Sequence, residues 1–350
     1  MIHINHENLL DLKYLASGVF DPLYSFMNYE EFKSVVYDMK LLNDNIWTLP
    51  ITLEVNDDYN IGSTQDLYYN QTLIGKIHIE DKFQIQDKDL FEIFQTKDLN
   101  HPGIKKEKSK SSLKIAGKIQ IKEELLKNTL YKGMLQDVFS KKNKEVKTIA
   151  GFQTRNAIHR AHEHLQKIAL ELCDALFINP LIGWKKQGDF TQEAVMSAYK
   201  VMFDEFYPQH RVFIQGLETN MRYAGPKEAI FHAIIRKNIG CTHFIIGRDH
   251  AGVGDYYGVY DAHKLAKELN STNKLGIELL LLKEPYFCTK CDQIVSEKVC
   301  SHENTHKISI SGTKIRQALV SGKIPDERFM RKEVAKALID LGMDNIFIKE

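Results

Sequence analysis

The sequence contains no run of about 18 consecutive apolar residues, the length a membrane-spanning helix needs. Its first residues, Met1 to Gly18, lack a basic stretch followed by an apolar one, so no secretory signal is expected. Cysteine is scarce. There are five, an odd number, with Cys173 and Cys241 isolated and Cys288, Cys291 and Cys300 clustered. That distribution argues against a disulfide framework, and a reducing cytoplasm is the expected setting. An excess of charge is missing as well. Lys and Arg total 47 against 46 Asp and Glu, a net charge of +1, which counts against a general nucleic-acid binder. Internal repeats and long low-complexity tracts are absent, and the basic run Lys105 to Lys114 reads as a solvated loop.

The chain has 350 residues, 43% of them hydrophobic and 27% charged. It is long enough for two or three cored domains. Up to residue 145 the strong segments are β-branched or aromatic and punctuated by Gly, Asn and Asp. Trp47 to Val55, Tyr68 to His78 and Ile115 to Ile121 read as strands, Tyr29 to Met39 and Lys122 to Phe139 as helices. After residue 145 strand and helix alternate. Val146 to Phe152 reads as strand, and Ala157 to Cys173 as helix, because Ile158, Ala161, Leu165, Ile168 and Leu172 recur three and four apart. Further strands are expected at Ala175 to Ile182, Arg211 to Leu217, Cys241 to Ile246 and Gly276 to Leu282. Helices are expected at Gln192 to Phe206, Pro226 to Asn238 and Asp261 to Leu269. Such alternation predicts a parallel, Rossmann-like sheet covered on both faces, with ligands beyond the carboxyl ends of its strands.

Two predicted strand ends are unusually polar. Gln153, Thr154, Arg155 and Asn156 precede a helix start that carries His159 and His162. A helix N-terminus offers free N–H groups to phosphate or sulfate, and the arginine fork matches an oxyanion. Either histidine alone reads as an ordinary surface residue; the whole string reads as an anion site. Gly247-Arg248-Asp249-His250-Ala251-Gly252 is the second strand end. It lacks the Walker spacing, and its weight comes from sharing a sheet edge with the first. In the third candidate, Ile310 to Arg316, Ser311 and Thr313 can cap a helix, while Lys314 and Arg316 oppose its dipole unless an anion sits there.

The spacing Cys288-x2-Cys291-x8-Cys300, followed by His302 and His306, predicts a structural tetrahedral Zn2+ site. Spacing leaves His302 and His306 equal as fourth ligand.

The strings QTRNAIHRAHE (Gln153 to Glu163), MRYAGPKEA (Met221 to Ala229) and GRDHAGVGDYYG (Gly247 to Gly258) resemble the ATP sulfurylase family of the nucleotidylyltransferase superfamily. So do Gly18 to Phe20, Pro22 to Met27, His101-Pro102-Gly103 and Asn179 to Gly183, so the resemblance covers nearly the whole chain. It departs at Ala157, where the family usually has Pro, and at Ser25, where Gly is usual. It implies a β-rich PUA-like N-terminal domain (1–145), an α/β nucleotidylyltransferase catalytic domain (146–310, with a zinc knuckle at 288–306) and a short helical tail (311–350). No P-loop follows, so no fused kinase-type domain is expected. The implied reaction joins sulfate to the α-phosphate of ATP, giving adenylyl sulfate and pyrophosphate, in sulfate activation or, reversed, in sulfur oxidation. By this resemblance Thr154, Arg155 and Asn156 are catalytic. Gln153, Arg155 and the backbone at Ala251 hold sulfate. Gln153, Arg155, His159, His162, Gly247, Arg248, Asp249, His250 and Pro285 bind ATP. Mg2+ accompanies ATP, and a homo-oligomer is expected, with neither nucleic acid nor membrane as partner. The alternatives are another adenylyltransferase with a phosphate-bearing acceptor, and an RNA-binding protein made of a PUA-like domain and a zinc knuckle.

Overall fold

The structure, a computed structural model, describes residues 1–183 and 187–349. Trp184, Lys185 and Lys186 of the expected catalytic domain, and Glu350 of the expected tail, lie outside the described residues. The chain forms two compact units. The first holds Met1–Asp137, Met221–Gly240 and Asp249–Leu279; the second holds Val138–Asn220, Cys241–Arg248 and Leu280–Glu350.

Three sheets are present among the described residues. The first contains β1 (Ile2–His3), β2 (Leu53–Glu54), β3 (Thr64–Tyr69), β4 (Thr72–Gln84) and β5 (Leu113–Ile121), in the order β1-β3-β4-β5-β2. The second contains β6 (Ile149–Thr154), β7 (Ala175–Pro180), β8 (Val212–Ile214), β9 (His243–Ile246) and β10 (Glu278–Leu281), in the order β10-β9-β6-β7-β8. A small antiparallel sheet joins β11 (Tyr286–Cys288), β12 (Gln293–Val295) and β13 (Lys307–Ser309). The helices are α1 (His6–Ala16), α2 (Tyr29–Asp38), α3 (Asp87–Phe94), α4 (Pro102–Lys108), α5 (Met134–Lys142), α6 (Arg160–Leu172), α7 (Gln192–Glu205), α8 (Gly225–Ile239), α9 (Asp261–Thr272), α10 (Gly312–Val320), α11 (Lys332–Asp340) and α12 (Met343–Ile346).

Pairing in the second sheet is parallel for β6–β7, β6–β9 and β7–β8. All six residues of β7 are buried, as a central parallel strand requires. The chain leaves β6 toward β7 and β8 on one side and returns on the other with β9 and β10. The sheet therefore reverses its order between β6 and β9, where ligands bind in doubly wound folds. The polar end of β6, and Gly247 and Arg248 after β9, fall at this point. The core of this unit joins β6 and β7 to α6, α7, α10 and α11 through residues such as Leu165, Leu176, Tyr199, Leu319 and Leu338.

Five elements differ from expectation. The basic run Lys105 to Lys114 is not a solvated loop throughout, since Lys105 to Lys108 end α4 and Lys114 is a buried residue of β5. Tyr68 to His78 is a hairpin turn and parts of two strands, because Asn70 and Gln71 take φ of 45° and 64°, and positive φ at both central positions gives a tight two-residue turn. Lys122 to Phe139 is broken by the left-handed Asn128 and Gly133 into a 3-10 turn, Glu123–Leu126, and the start of α5. Trp47 to Leu49 are all buried and burial alternates only from Leu49 to Val55, yet only Leu53–Glu54 joins the ladder. The helix expected from Ala157 begins at Arg160, with His159 as N-cap. Ala157 thus precedes the first turn.

Candidate active site

The loop after β6 is held by the last residue of that strand. The buried Thr154 hydroxyl accepts from the Asn156 amide at 3.0 Å and donates to the Asn156 carbonyl at 3.3 Å, which turns the chain at Arg155. Arg155 and Asn156 are partly exposed beside it. The helix then starts on a histidine cap. His159 Nδ1 accepts from the His162 amide at 3.5 Å, and the two rings stack with centroids 3.8 Å apart. Phe152 packs edge-on to His162 at 5.2 Å. Capping through Nδ1 leaves the proton of a neutral His159 on Nε2. Burial, and then the nearby Arg316 charge, push His159 down to about 4. Burial, with His159 beside it, holds His162 well below the usual histidine range. Two neutral imidazoles at a helix N-terminus are hydrogen-bonding groups, not added cations.

Arg316 comes from α10, whose cap is Ser311, not Thr313. The Ser311 hydroxyl accepts from the Lys314 amide at 3.3 Å. Arg316 Nη2 donates to Asn156 Oδ1 at 2.8 Å and lies 3.8 Å from the buried Asp189 carboxylate. The residue that opposed the helix dipole in the sequence therefore sits at the β6 loop.

The second strand end divides between the units. Gly247 and Arg248 fall in the second unit, where Arg248 Nε lies 3.3 Å from Glu284, next to the buried Pro285. Asp249, His250 and Ala251 fall in the first. Asp249 and Ala251 take φ of 52° and 59°, and a Cβ on Gly252 would lie 1.9 Å from Asp249 Oδ1, so a larger residue there would displace that carboxylate. The His250 ring lies 5.7 Å from that of His232, a buried residue 3.6 Å from Glu228.

Within the first unit the family-like strings at 101–103, 221–229 and 249–258 pack together. Tyr257 hydroxyl lies 3.0 Å from Tyr223 carbonyl oxygen, 2.9 Å from that of Phe94 and 3.2 Å from His101 Nε2. Glu228 accepts from the Arg222 and Ala224 amides at 2.8 and 3.1 Å, and Arg222 pairs with Asp11 at 2.9 Å.

The cysteine cluster closes fully. The donor atoms of Cys288, Cys291, Cys300 and His302 lie within 4.8 Å of one another. Cys291 and Cys300 sulfurs are 3.8 Å apart, and His302 Nδ1 is 3.3, 3.3 and 3.6 Å from the three sulfurs. A tetrahedron with metal–sulfur bonds of about 2.3 Å and metal–nitrogen bonds of about 2.0 Å has edges of roughly 3.8 and 3.6 Å. The donor set fits zinc. His306, equal to His302 in the sequence, turns to Thr289 at 3.3 Å.

Sequence reasoning missed Glu163 and Arg331. Glu163 stands inside the QTRNAIHRAHE string, but its partner lies 168 residues away.

The ATP-sulfurylase family profile matches residues 134–341, and a PUA-like domain profile matches residues 1–124. A sulfate adenylyltransferase of Pyrococcus abyssi is 41% identical over 99% of this chain and 92% of its own. One of Staphylothermus marinus is 42% identical over 97% and 90%. One of Halothermothrix orenii is 38% identical over 97% and 91%. Among solved structures, a hexameric APS kinase from Thiobacillus denitrificans superposes with a TM-score of 0.72 at 17% identity. That likeness shows the fold alone; it covers 98% of this chain, which spans 63% of the other.

Proposed function

The chain belongs to the ATP-sulfurylase family, and from that premise we infer that it is a sulfate adenylyltransferase, joining sulfate to the α-phosphate of ATP with release of pyrophosphate. The observation that carries the residue assignments is the placing of Gln153 to His162 at the order reversal of a parallel sheet.

Sulfate is already ionised at neutral pH, so the reaction needs no general base. Its difficulty is electrostatic: a dianion must meet a polyanion while charge builds on the departing pyrophosphate. Fixed donors and positive charge answer that, in a geometry set before the reactants arrive. Gln153, Arg155 and the Ala251 backbone take sulfate. Thr154, Arg155 and Asn156 act at the α-phosphate, the catalytic centre. Arg155 serves both anions, which suits its fork better than a lysine point charge. His159 donates through Nε2–H to the leaving phosphates, with His162 beside it. The other ATP contacts are Gly247, Arg248, Asp249, His250 and Pro285. A Cβ on Gly247 would meet no protein atom within 4 Å, so close backbone approach by the nucleotide is the reason for glycine there. Mg2+ enters with ATP and neutralises phosphate charge.

We assign zinc to Cys288, Cys291, Cys300 and His302. Four protein donors leave no open position, so its role is structural. Domain limits of 1–145, 146–310 and 311–350, a homo-oligomer and a cytoplasmic setting complete the proposal. Among the described residues no helix is long and apolar enough to cross a membrane. The deciding assay is pyrophosphate release from MgATP with sulfate, without it, and with phosphopantetheine as control acceptor. Sulfate-dependent release is expected; release driven only by the control acceptor would replace this reading with another adenylyltransferase.

A further inference from the structure

The first turn of α6 is held by the C-terminal segment, a hold the mechanism above does not use. Glu163, the fourth residue of α6, is 3% exposed. Arg331, the N-cap of α11, reaches its carboxylate with two N–H groups, Nε to Oε2 at 2.9 Å and Nη2 to Oε1 at 2.6 Å. Arg160 at 2.7 Å and Lys167 at 2.8 Å complete the carboxylate's surroundings. The Arg160 amide donates to the Phe329 carbonyl at 2.8 Å, and Met330 between these contacts is fully buried. The Arg331 guanidinium also lies 3.9 Å from the Phe206 ring centroid, between an aromatic face and the carboxylate. Burial works to raise the Glu163 pKa, but hydrogen bonds from Arg331 and Lys167, with the Arg160 charge, hold it at about 2.

Apolar packing attaches a helix at less desolvation cost than a buried ion pair does. What the pair adds is orientation. A two-pronged contact fixes the carboxylate's direction, and with it the rotation of the turn that carries it. That turn carries His159 as its cap and His162 one residue before Glu163.

We propose that the Glu163–Arg331 pair is a positioning device that sets the first turn of α6 so that His159 and His162 meet the leaving phosphates. The proposal rests on the assignment of those histidines above. Neither Glu163 nor Arg331 touches substrate; they act through the two rings. Misplacing a reacting contact by about 1 Å costs up to roughly 10²-fold in rate.

The test uses the full chain with Arg331→Ala, Arg331→Lys and Glu163→Gln, and reads the ring 15N resonances of His159 and His162. Arg331→Ala is expected to shift both, and Arg331→Lys to shift them less. Turnover in Arg331→Ala should fall about ten- to a hundredfold, with a smaller change in KM for ATP. In a His159→Ala/His162→Ala background the same change should add no further loss, because the coupling runs through those rings. Unchanged ring resonances in a folded Arg331→Ala overturn the proposal, as does an equal slowing in the histidine-less background. If Arg331→Ala does not fold, the resonances of Glu163→Gln and Arg331→Lys decide by the same criterion. A parent without sulfate-dependent turnover removes the assigned reaction, while the ring resonances still judge the device.

Discussion

In the cysteine knuckle, four donors taken from 15 consecutive residues converge within 4.8 Å, and His306 four positions later plays no part. In the loop after β6 and the first turn of α6, the side chains meet in pairs and converge on no single centre. His162 Nδ1 is buried with no protein hydrogen bond, and the loop's fixed charge comes partly from Arg316, 160 residues from its partner Asn156. The knuckle is a closed site whose donors satisfy one centre. The loop, in the function proposed for it, is an open site that keeps hydrogen-bonding capacity for anions, and it depends on distant residues such as Arg316 for its shape. Closure serves stability; openness serves chemistry, and the two regions should fail in different ways.

The largest effect is expected at the open site. Arg155→Ala should reduce turnover by about 10²–10³, the loss typical of one oxyanion contact, about 2.7–4 kcal/mol of barrier. Circular dichroism should remain that of the parent. Arg155→Lys should also be largely inactive, and near-normal turnover there would sink the assignment of Arg155 to both anions.

The closed site should break the other way round. Cys291→Ser and His302→Ala should take zinc from one per chain to near none and lower the melting temperature, with turnover per folded molecule changing later. His306→Ala should keep its metal. Metal analysis of the three proteins checks this, and full zinc retention in Cys291→Ser would reject a structural site.

The smallest effect sharpens the comparison through pH. His159 titrates near 4 in the fold against an ordinary value of 6.5, so between these values the unfolded chain binds more protons. This contribution to stability is complete above about pH 6.5 and is lost as pH falls toward 4. Glu163, held near 2, gives the same sign lower down: its contribution is present above its ordinary 4.5 and lost as pH falls from there toward 2. Urea titrations at pH 7 and pH 5 should show lower stability at pH 5, and His159→Gln should flatten the difference. An unchanged pH dependence in that variant would disprove a neutral, half-buried His159.

The strand-end strings were legible because their signal is local. An apolar strand followed at once by Gln153 to Asn156 marks both the end of β6 and a polar cluster. The α6 boundary was not legible. Apolar spacing counted Ile158 as a helical position, whereas the His159 cap starts the helix only at Arg160. The β3–β4 hairpin was hidden because Asn70-Gln71 is not the usual glycine-bearing turn, and only the backbone angles reveal it.

The sequence by itself determined the family, the alternation that makes a parallel sheet, the polar string at the end of β6 and three of the four knuckle donors. Each of these is written in residue types at short spacing. Tertiary structure alone decided between His302 and His306, since both spacings close a chelate and only the fold of β11 to β13 aims one ring at the sulfurs. It alone brought Arg316 to Asn156 and Arg331 to Glu163. Such contacts join residues about 160 positions apart, and no local pattern encodes a partner at that separation; it is set by where packing of α10 and α11 into the core leaves each side chain.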